Sequence, residues 1–452
     1  MSKGPGWKDT LRALRDRRML FLLLLGFSSG LPFALTLGTL QAWMRDLQID
    51  LKTIGLFAFL RLPFSLKFLW APLMDRYSWP FLDRRRSWAV ISQVAITACL
   101  VGMVLVDPLS QIHWLVALTL GVNFFAASQD IVLDAYRREV LEDRELGLGS
   151  SVFINGYIVA FRYVSGALAL FLAGETIGWS YPQVYALMAM LMGLMVVVSF
   201  LAPKISVEFS APRSLKEAFV GPLQEYFSRP GAWGILAFIV LYKVGDNMAG
   251  TMTLPFLKDV GFTNDQYVAI VKAWGPAMTF VGSLIGGHLV YQFGIMPSLW
   301  VMGILQALST ALFAVLTHTG PHLTWLAVIV AFENITAQMG TAAYAAYMGS
   351  ITNRQFTATQ YALLSSLMAV PGALFGSRTG AMAESLGWYG FFIACAVVAI
   401  PGLLMIALLK EGAQAKHRVL NGFFVVSVSL GILYSTGTSL MDLVALVARS
   451  FK

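Results

Sequence analysis

The chain has 452 residues, 57% of them hydrophobic and 12% charged, with a mean hydropathy of +0.70. Soluble domains carry roughly 45–50% apolar and about 25% charged residues, so this composition excludes a water-soluble globular protein. The net charge of +8 does not point to a nucleic-acid partner, because Lys and Arg fall in short gaps between apolar runs, where they serve topology and lipid headgroups.

A hydrocarbon core of about 30 Å needs about 20 helical residues to cross it. Apolar runs of that length predict spans near 19–44, 51–74, 88–106, 112–136, 150–173, 183–203, 232–257, 266–291, 297–318, 322–348, 358–385, 387–410 and 421–447. Ahead of them, Trp7 to Arg18 is basic and amphipathic, with no cleavable signal pattern. The longest polar gap, Pro203 to Gly231, holds Pro, Ser and charges of both signs. The expected organisation is a cytoplasmic segment at 1–18, a six-helix half at 19–203, a cytoplasmic linker at 204–231, a second six-helix half at 232–410, and a basic loop with one additional helix at 411–452.

Basic residues set the orientation. Lys8, Arg12, Arg15, Arg17, Arg18, Arg76, Arg84 to Arg86, Arg137, Arg138, Arg144, Lys416 and Arg418 collect on one side. The opposite gaps hold little beyond Arg45, Lys52 and Lys258. By the positive-inside rule the N-terminus is cytoplasmic.

Short segments recur at an offset of roughly 210 residues. Glu175-Thr176-Ile177-Gly178-Trp179 matches Glu384-Ser385-Leu386-Gly387-Trp388, Trp43-Met44-Arg45-Asp46 matches Phe256-Leu257-Lys258-Asp259, and Pro63 matches Pro276. Parallel repeats of this kind belong to transporters whose substrate site lies between two halves near the midplane.

Several motifs resemble one family specifically. Gly26-Phe27-Ser28-Ser29-Gly30-Leu31-Pro32, Gly38-Thr39-Leu40-Gln41-Ala42-Trp43-Met44, Lys67-Phe68-Leu69-Trp70-Ala71-Pro72-Leu73-Met74-Asp75-Arg76-Tyr77 and Ser128-Gln129-Asp130-Ile131-Val132-Leu133-Asp134-Ala135 are similar to those of the AmpG-type muropeptide permeases of the major facilitator superfamily. So are Leu241-Tyr242-Lys243-Val244-Gly245-Asp246, Phe332-Glu333-Asn334 and Ala358-Thr359-Gln360-Tyr361-Ala362-Leu363-Leu364-Ser365. The resemblance implies an all-α membrane protein with the major facilitator fold. It also implies a bacterial inner-membrane importer that takes anhydro-muropeptides (a disaccharide with a short peptide) into the cytoplasm with protons, in peptidoglycan recycling linked to β-lactamase induction. Three features depart from the family pattern: Ile158 follows Gly156-Tyr157 where the family has Arg, with Arg162 a turn later; Gly372 stands where the family has Arg, with Arg378 displaced; and one extra C-terminal span replaces a pair.

Charged groups inside spans are costly, by about 2.5–3.5 kcal/mol on insertion scales, and usually face a cavity or a partner. Asp130 and Asp134, one turn apart, share a helix face with Asn123 further back. Asp130 is the first candidate for proton coupling, Glu333 the second and Asp134 the third; the structural alternative for Asp130 is a pair with Arg137 or Arg138, and for Asp134 a role at the cytoplasmic rim. Spare positive charge suits an anionic solute. Arg61, Lys67, Arg162, Lys243 and Arg378 are candidate substrate contacts, together with Asn123, Gln129, Tyr157, Asp246, Asn334 and Gln338; Lys243 and Asp246 are also spaced to neutralise each other. Lys272 adds a further membrane cation. Trp43, Trp70, Trp274, Tyr344 and Tyr347 offer faces for a sugar, although membrane tryptophans mostly anchor at interfaces. Asp75 and Arg76, with Arg84, Arg85 and Arg86, resemble the superfamily's gating signature in the loop between helices two and three.

No metal or other cofactor is expected: His288 is a lone histidine, and Cys99 and Cys395 lie in apolar runs as small hydrophobes. The expected partners are the muropeptide, protons and the lipid bilayer, with the protein a monomer. The rival readings are a related proton-coupled carrier of another anionic solute such as an acyl-CoA, a membrane enzyme, and a receptor. The last two lack a nucleophile–base pair and a signalling domain.

Overall fold

A computed structural model describes residues 6–80, 82–205, 211–368, 375 and 378–410. Among these, every regular element is helical. Lipid offers no hydrogen bonds to backbone N–H and C=O groups, so a long apolar run must satisfy them within itself, as a helix does. In chain order the helices are α1 (Trp7–Leu14), α2 (Arg17–Leu35), α3 (Gly38–Asp46), α4 (Leu51–Leu56), α5 (Leu62–Leu66), α6 (Ala71–Arg76), α7 (Arg84–Leu105), α8 (Ile112–Val140), α9 (Leu146–Ile158), α10 (Ala169–Ala173), α11 (Tyr181–Leu201) and α12 (Leu215–Ser228). They continue with α13 (Ala232–Leu241), α14 (Val244–Val260), α15 (Asn264–Tyr267), α16 (Gly275–Phe293), α17 (Ile295–Leu312), α18 (Leu316–Thr319), α19 (Leu323–Ile351), α20 (Thr357–Leu367) and α21 (Thr379–Lys410), the last of which is two helices meeting at a kink at Gly387.

Among the described residues, nine helical stretches are long and apolar enough to cross a membrane: Arg17–Asp46, Arg84–Leu105, Ile112–Val140, Leu146–Ala173, Tyr181–Leu201, Asp265–Phe293, Ile295–Thr319, Leu323–Ile351 and Thr379–Ile406. Each overlaps a predicted span. The predicted spans at 51–74 and 232–257 are instead broken. Across 51–76 the short helices α4 to α6 alternate with tighter 3₁₀ turns at Phe57–Arg61 and Lys67–Leu69. Pro63 and Pro72 sit in the first turns of α5 and α6, where the missing N–H costs nothing. Between α13 and α14 the helix breaks at Tyr242 and Lys243. The predicted span 358–385 begins with α20, but residues 369–374 and 376–377, Gly372 among them, lie outside the described residues. The predicted helix at 421–447 also lies outside them.

The described residues fall into two compact units. One lies within Met1–Pro222 and Met348–Ser366, the other within Leu223–Tyr347 and Leu367–Lys452. The repeats seen in sequence have matching structural roles in each. Gly178 and Gly387 both take a left-handed conformation, at φ of +74° and +67°, which glycine adopts without steric cost. In the first unit the Asp46 carboxylate accepts from the Tyr181 hydroxyl at 2.7 Å, and Trp43 stacks on the same ring. In the second, Asp259 accepts from Trp388 Nε1 at 3.0 Å, and Phe256 packs on that indole.

At the start of α2, Asp16 accepts from the backbone N–H of Arg18 and from its guanidinium. These bonds hold the Asp16 carboxyl below its usual range and satisfy a free donor at the helix start. Within the first unit, α2 and α9 approach so closely that no side chain separates their backbones. A Cβ on Gly26 would lie 2.0 Å from the Phe153 carbonyl oxygen, and one on Gly30 would lie 2.2 Å from that of Tyr157. Small residues four apart give this contact in lipid, where burial of apolar surface cannot drive association. Gly26→Ala is therefore expected to destabilise the protein by about 1–3 kcal/mol, the usual cost of overpacking. The check is a lower thermal midpoint in detergent, with Gly38→Ala, which meets nothing within 4 Å, leaving the midpoint unchanged.

Candidate functional site

The long helix α8 carries Asn123, Gln129, Asp130, Asp134, Arg137, Arg138 and Glu139. Ser29 on α2 donates its hydroxyl to Asp130 Oδ1 at 2.5 Å, and Lys67 Nζ approaches Oδ2 at 3.3 Å. Lys67 is buried, whereas the Asp130 side chain keeps 26% exposure. The ion pair is thus closed on its cationic side and open on its acidic side. Removing ions from water costs several kcal/mol each unless a counter-charge and further hydrogen bonds compensate, and Lys67 and Ser29 supply these to Asp130.

One turn further along α8, Asp134 pairs with Arg137 at 2.9 Å. The Arg137 guanidinium donates to the Tyr361 hydroxyl at 2.6 Å and lies over the Phe153 ring. Arg138 pairs with Asp143 at 2.8 Å. The two arginines weighed as partners for Asp130 therefore serve Asp134 and Asp143, and the Asp130 ion pair is with Lys67.

Beside this cluster, the Arg61 guanidinium sits 3.9 Å from the Phe33 ring centroid. Phe33 in turn makes edge contacts with Phe64, Tyr157 and Phe161. A cation over an aromatic face gains about 0.5–2 kcal/mol while keeping its charge available. Arg162 is exposed on the wider π-helical stretch Val159–Leu168 that follows α9. Asn123 is buried; it accepts from Thr36 at 2.9 Å and donates to the Thr119 carbonyl. Gln129 is fully buried, with no hydrogen-bond partner for either amide atom among the described residues. Trp70 donates to Ser128 at 3.0 Å.

A second charged cluster in the same unit surrounds Asp75, which is fully buried. Arg85 donates to Asp75 at 2.8 Å and to Glu139 at 2.6 Å. Asp75 also accepts from the Ala358 N–H at 3.1 Å, the Thr359 N–H at 2.8 Å and the Thr359 hydroxyl at 2.6 Å. The carboxylate therefore holds the first turn of α20, where free N–H groups and the helix dipole favour negative charge. Arg84 donates to the Asp75 backbone carbonyl, Arg76 to that of Pro212, and Arg86 to Asp83 and to the Ala202 carbonyl.

The second unit has its own cluster. Lys243, at the break between α13 and α14, approaches Asp246 at 3.3 Å, Gln306 Oε1 at 3.1 Å and the Ala337 carbonyl at 3.2 Å. Ser309 donates to Glu333 at 2.5 Å, and Asp246 and Lys243 are charged neighbours of Glu333. Two carboxyls and one ammonium thus share a site, with the Asp246 side chain 27% exposed. Asn334 accepts from Thr279 at 2.9 Å and donates to the Val330 carbonyl, an arrangement that mirrors Asn123. Gln338 is half-buried, its Nε2 unpartnered among the described residues. Arg378 is half-buried just ahead of α21, and Lys272 lies 5.7 Å from the Tyr267 ring centroid.

The candidate sugar faces divide. Trp43, Tyr344 and Tyr347 are buried packing groups; Tyr344 stacks on Tyr242 and bonds the Ile239 carbonyl. Trp274 is exposed and donates to the Ala327 carbonyl. Sequence reading missed Ser29, Glu139, Gln306 and Ser309 as partners of the charged groups. Ser29 stood within a family-like motif, and Glu139 stood beside the basic pair Arg137-Arg138, but their contacts cross between helices far apart in sequence. Breaking a buried ion pair from one side typically costs about 3–5 kcal/mol. Asp75→Ala is expected to cost that much, with a non-additive effect when combined with Arg85→Ala, as a double-mutant cycle of thermal midpoints would show.

Residues 22–377 match the Major Facilitator Superfamily. The chain is 41% identical over 402 residues to the anhydromuropeptide permease of Escherichia coli K12, covering 89% of this chain and 81% of that one. It is 40% identical over 400 residues to an uncharacterized protein of Haemophilus influenzae, covering 86% and 93%. The crystal structure of the human organic anion transporter MFSD10 (TETRAN) shares the fold at a TM-score of 0.64 and 13% identity, covering 86% of this chain and 99% of that one. With nine helices fit to cross a membrane among its described residues, this multi-pass transporter belongs to the Major Facilitator Superfamily and, within it, to the family of the anhydromuropeptide permeases.

Proposed function

We propose that the chain imports anhydro-muropeptides, a GlcNAc–anhydroMurNAc disaccharide with or without a short peptide, from periplasm to cytoplasm by proton symport. The transporter acts as a monomer in the bacterial inner membrane with its N-terminus cytoplasmic, in peptidoglycan recycling and hence upstream of β-lactamase induction. The observation that carries this reading is the 41% identity, over 89% of the chain, to the permease of that name.

In this reading Asp130 is the principal proton carrier. A carboxylate that is partly open and has one ammonium beside it can exchange its proton with water while Lys67 balances the ionised form. Lys67 can receive a substrate carboxylate only after a rearrangement that uncovers it, because the ammonium side of the pair is closed. Glu333 and Asp246 form a second acidic site that binds a proton between them, with Lys243 as counter-charge. Asp134, held by Arg137, serves the rim. Arg61, Arg162 and Arg378 supply positive charge for the acidic solute, and Tyr157, Gln129 and Gln338 supply an aromatic face and amides for the sugars. Asp75, with Arg76 and Arg84 to Arg86, gates by holding or releasing the first turn of α20.

Proteoliposomes with an imposed inward proton gradient are expected to accumulate labelled disaccharide-peptide. Asp130→Asn should abolish the response to the gradient while leaving exchange of internal for external solute. Accumulation that survives this change at full rate removes Asp130 from the coupling role. Glu333→Gln is expected to weaken the response without abolishing it, measured as a reduced proton influx per solute. Excess unlabelled muropeptide should compete with the label and acetyl-coenzyme A should not; the opposite result transfers the function to an acyl-CoA carrier, the alternative that the displaced Arg162 and Arg378 keep open.

A further inference from the structure

Gln306 of α17 belongs to the second unit's charged cluster, yet only one end of its amide is partnered. The residue is 5% exposed. Its Oε1 accepts from Lys243 Nζ at 3.1 Å, while its Nε2 has no hydrogen-bond partner among the described residues. The amide is held from turning over, because an ammonium only donates and would then face the NH₂ group. Gly340 of α19 makes room for this arrangement: a Cβ there would lie 2.9 Å from Gln306 Oε1.

Gln306 also lines a cavity inside the second unit, between the α13–α14 break, α17 and the second helix of α21. The space open to the centre of a water-sized molecule is about 10 Å³, close to what a single water needs. Asp246, Tyr242 and Thr310 are its other polar neighbours. The Tyr242 and Thr310 hydroxyls donate their protons to the Leu299 and Gln306 carbonyls, which leaves their oxygens to accept. The cavity thus combines one donor group with three acceptors. An anion there would meet Asp246, and a metal cation would meet Lys243 and the amide N–H groups. A neutral molecule that both accepts and donates suits the site.

The half-chain repeat supplies an independent reason. Gln93 on α7 and Gln306 on α17 are separated by the same offset as Pro63 and Pro276, and both glutamines are buried. In the first unit Gln93 Nε2 donates to the Ser28 hydroxyl at 2.8 Å. We propose that a resident water takes the place of that hydroxyl in the second unit, accepting from Gln306 Nε2 and donating to the Asp246 carboxylate. Gln306 is then a positioning residue: one end of its amide holds Lys243, and the other holds Asp246 through the water. The water site stands on this geometry, and its effect on proton coupling rests on the proton-symport reading.

X-ray radiolysis splits water where it is bound, and the radical attacks the nearest side chains. Cys395 and Tyr242 border the cavity and are buried, so radicals made chemically in bulk water do not reach them. The full-length protein is reconstituted in nanodiscs, equilibrated in water enriched in the heavy oxygen isotope, given a brief X-ray dose and mapped by mass spectrometry. Oxidation of Cys395 or Tyr242 carrying the heavy isotope is expected after X-rays and not after bulk radicals. Gln306→Leu should abolish it, whereas Gln306→Asn, which keeps an amide beside an enlarged cavity, should retain it. No X-ray oxidation of either residue in the unchanged protein overturns the inference, because the cavity is then dry. Full oxidation in Gln306→Leu overturns it too, because the amide then holds no water. Should Gln306→Leu fail to reconstitute, Ala399→Val fills the cavity from the α21 wall without altering a charged group, and the same loss is expected. In proteoliposomes Gln306→Leu should also lower the proton influx per solute; an unchanged influx removes the coupling role. Solute flux without any proton influx in the unchanged protein would sink the symport reading instead and leave the radiolysis result standing.

Discussion

An ionised side chain at membrane depth is tolerable only with an opposite charge or several hydrogen bonds against it, and the first unit is arranged around that requirement. Helix α8 carries Asp130, Asp134, Arg137, Arg138 and Glu139 within three turns, and an ion-pair partner is in place for each. Those partners come from Lys67, from Asp134 and Arg137 on the same helix, from Asp143 in the following turn, and from Arg85 on α7. The broken helical path across 51–76 makes sense in this light. Its 3₁₀ turn at Lys67–Leu69 places a lysine beside Asp130.

The second unit meets the same requirement with a different composition. Lys243 sits where α13 stops and α14 begins, so a break in the helix delivers the cation, as it does at Lys67. Around it are two carboxyls instead of one, with Ser309 and Gln306 from α17 completing the hydrogen bonds. Both units thus combine a cation at a helix irregularity with an acid on or near a long regular helix. They differ in how many negative charges one cation must balance. The two clusters are therefore chemically unequal despite the repeated sequence.

Packing supplies the rigidity that such clusters need. Gly26 and Gly30 let α2 lie directly on α9, and the same helix presents Ser29 to Asp130 of α8; a larger residue at either glycine would displace α2. Asn123 and Asn334 each accept an interhelical bond from a threonine hydroxyl and donate their amide N–H to a carbonyl one turn back in their own helix.

Membrane class, the family and the charged residues of the spans were legible in the sequence, because long apolar runs admit only helices and because a charge inside such a run stands out against its surroundings. The half-chain repeat was legible too, in Gly178 and Gly387 and in Asp46 and Asp259, since each meets a local backbone or helix-end need that recurs. Which charge neutralises which was not. Asp130 pairs with Lys67 and Asp75 with the start of α20, across separations that no local spacing encodes. The breaks at Lys67 and Lys243 were hidden inside hydropathy that reads as unbroken span. Sequence by itself determined that Asp130, Lys67 and Lys243 fall within long apolar runs; only the packing of distant helices decided the partners of these groups, because pairing in a low-dielectric interior depends on distances of a few ångströms that the tertiary fold alone sets.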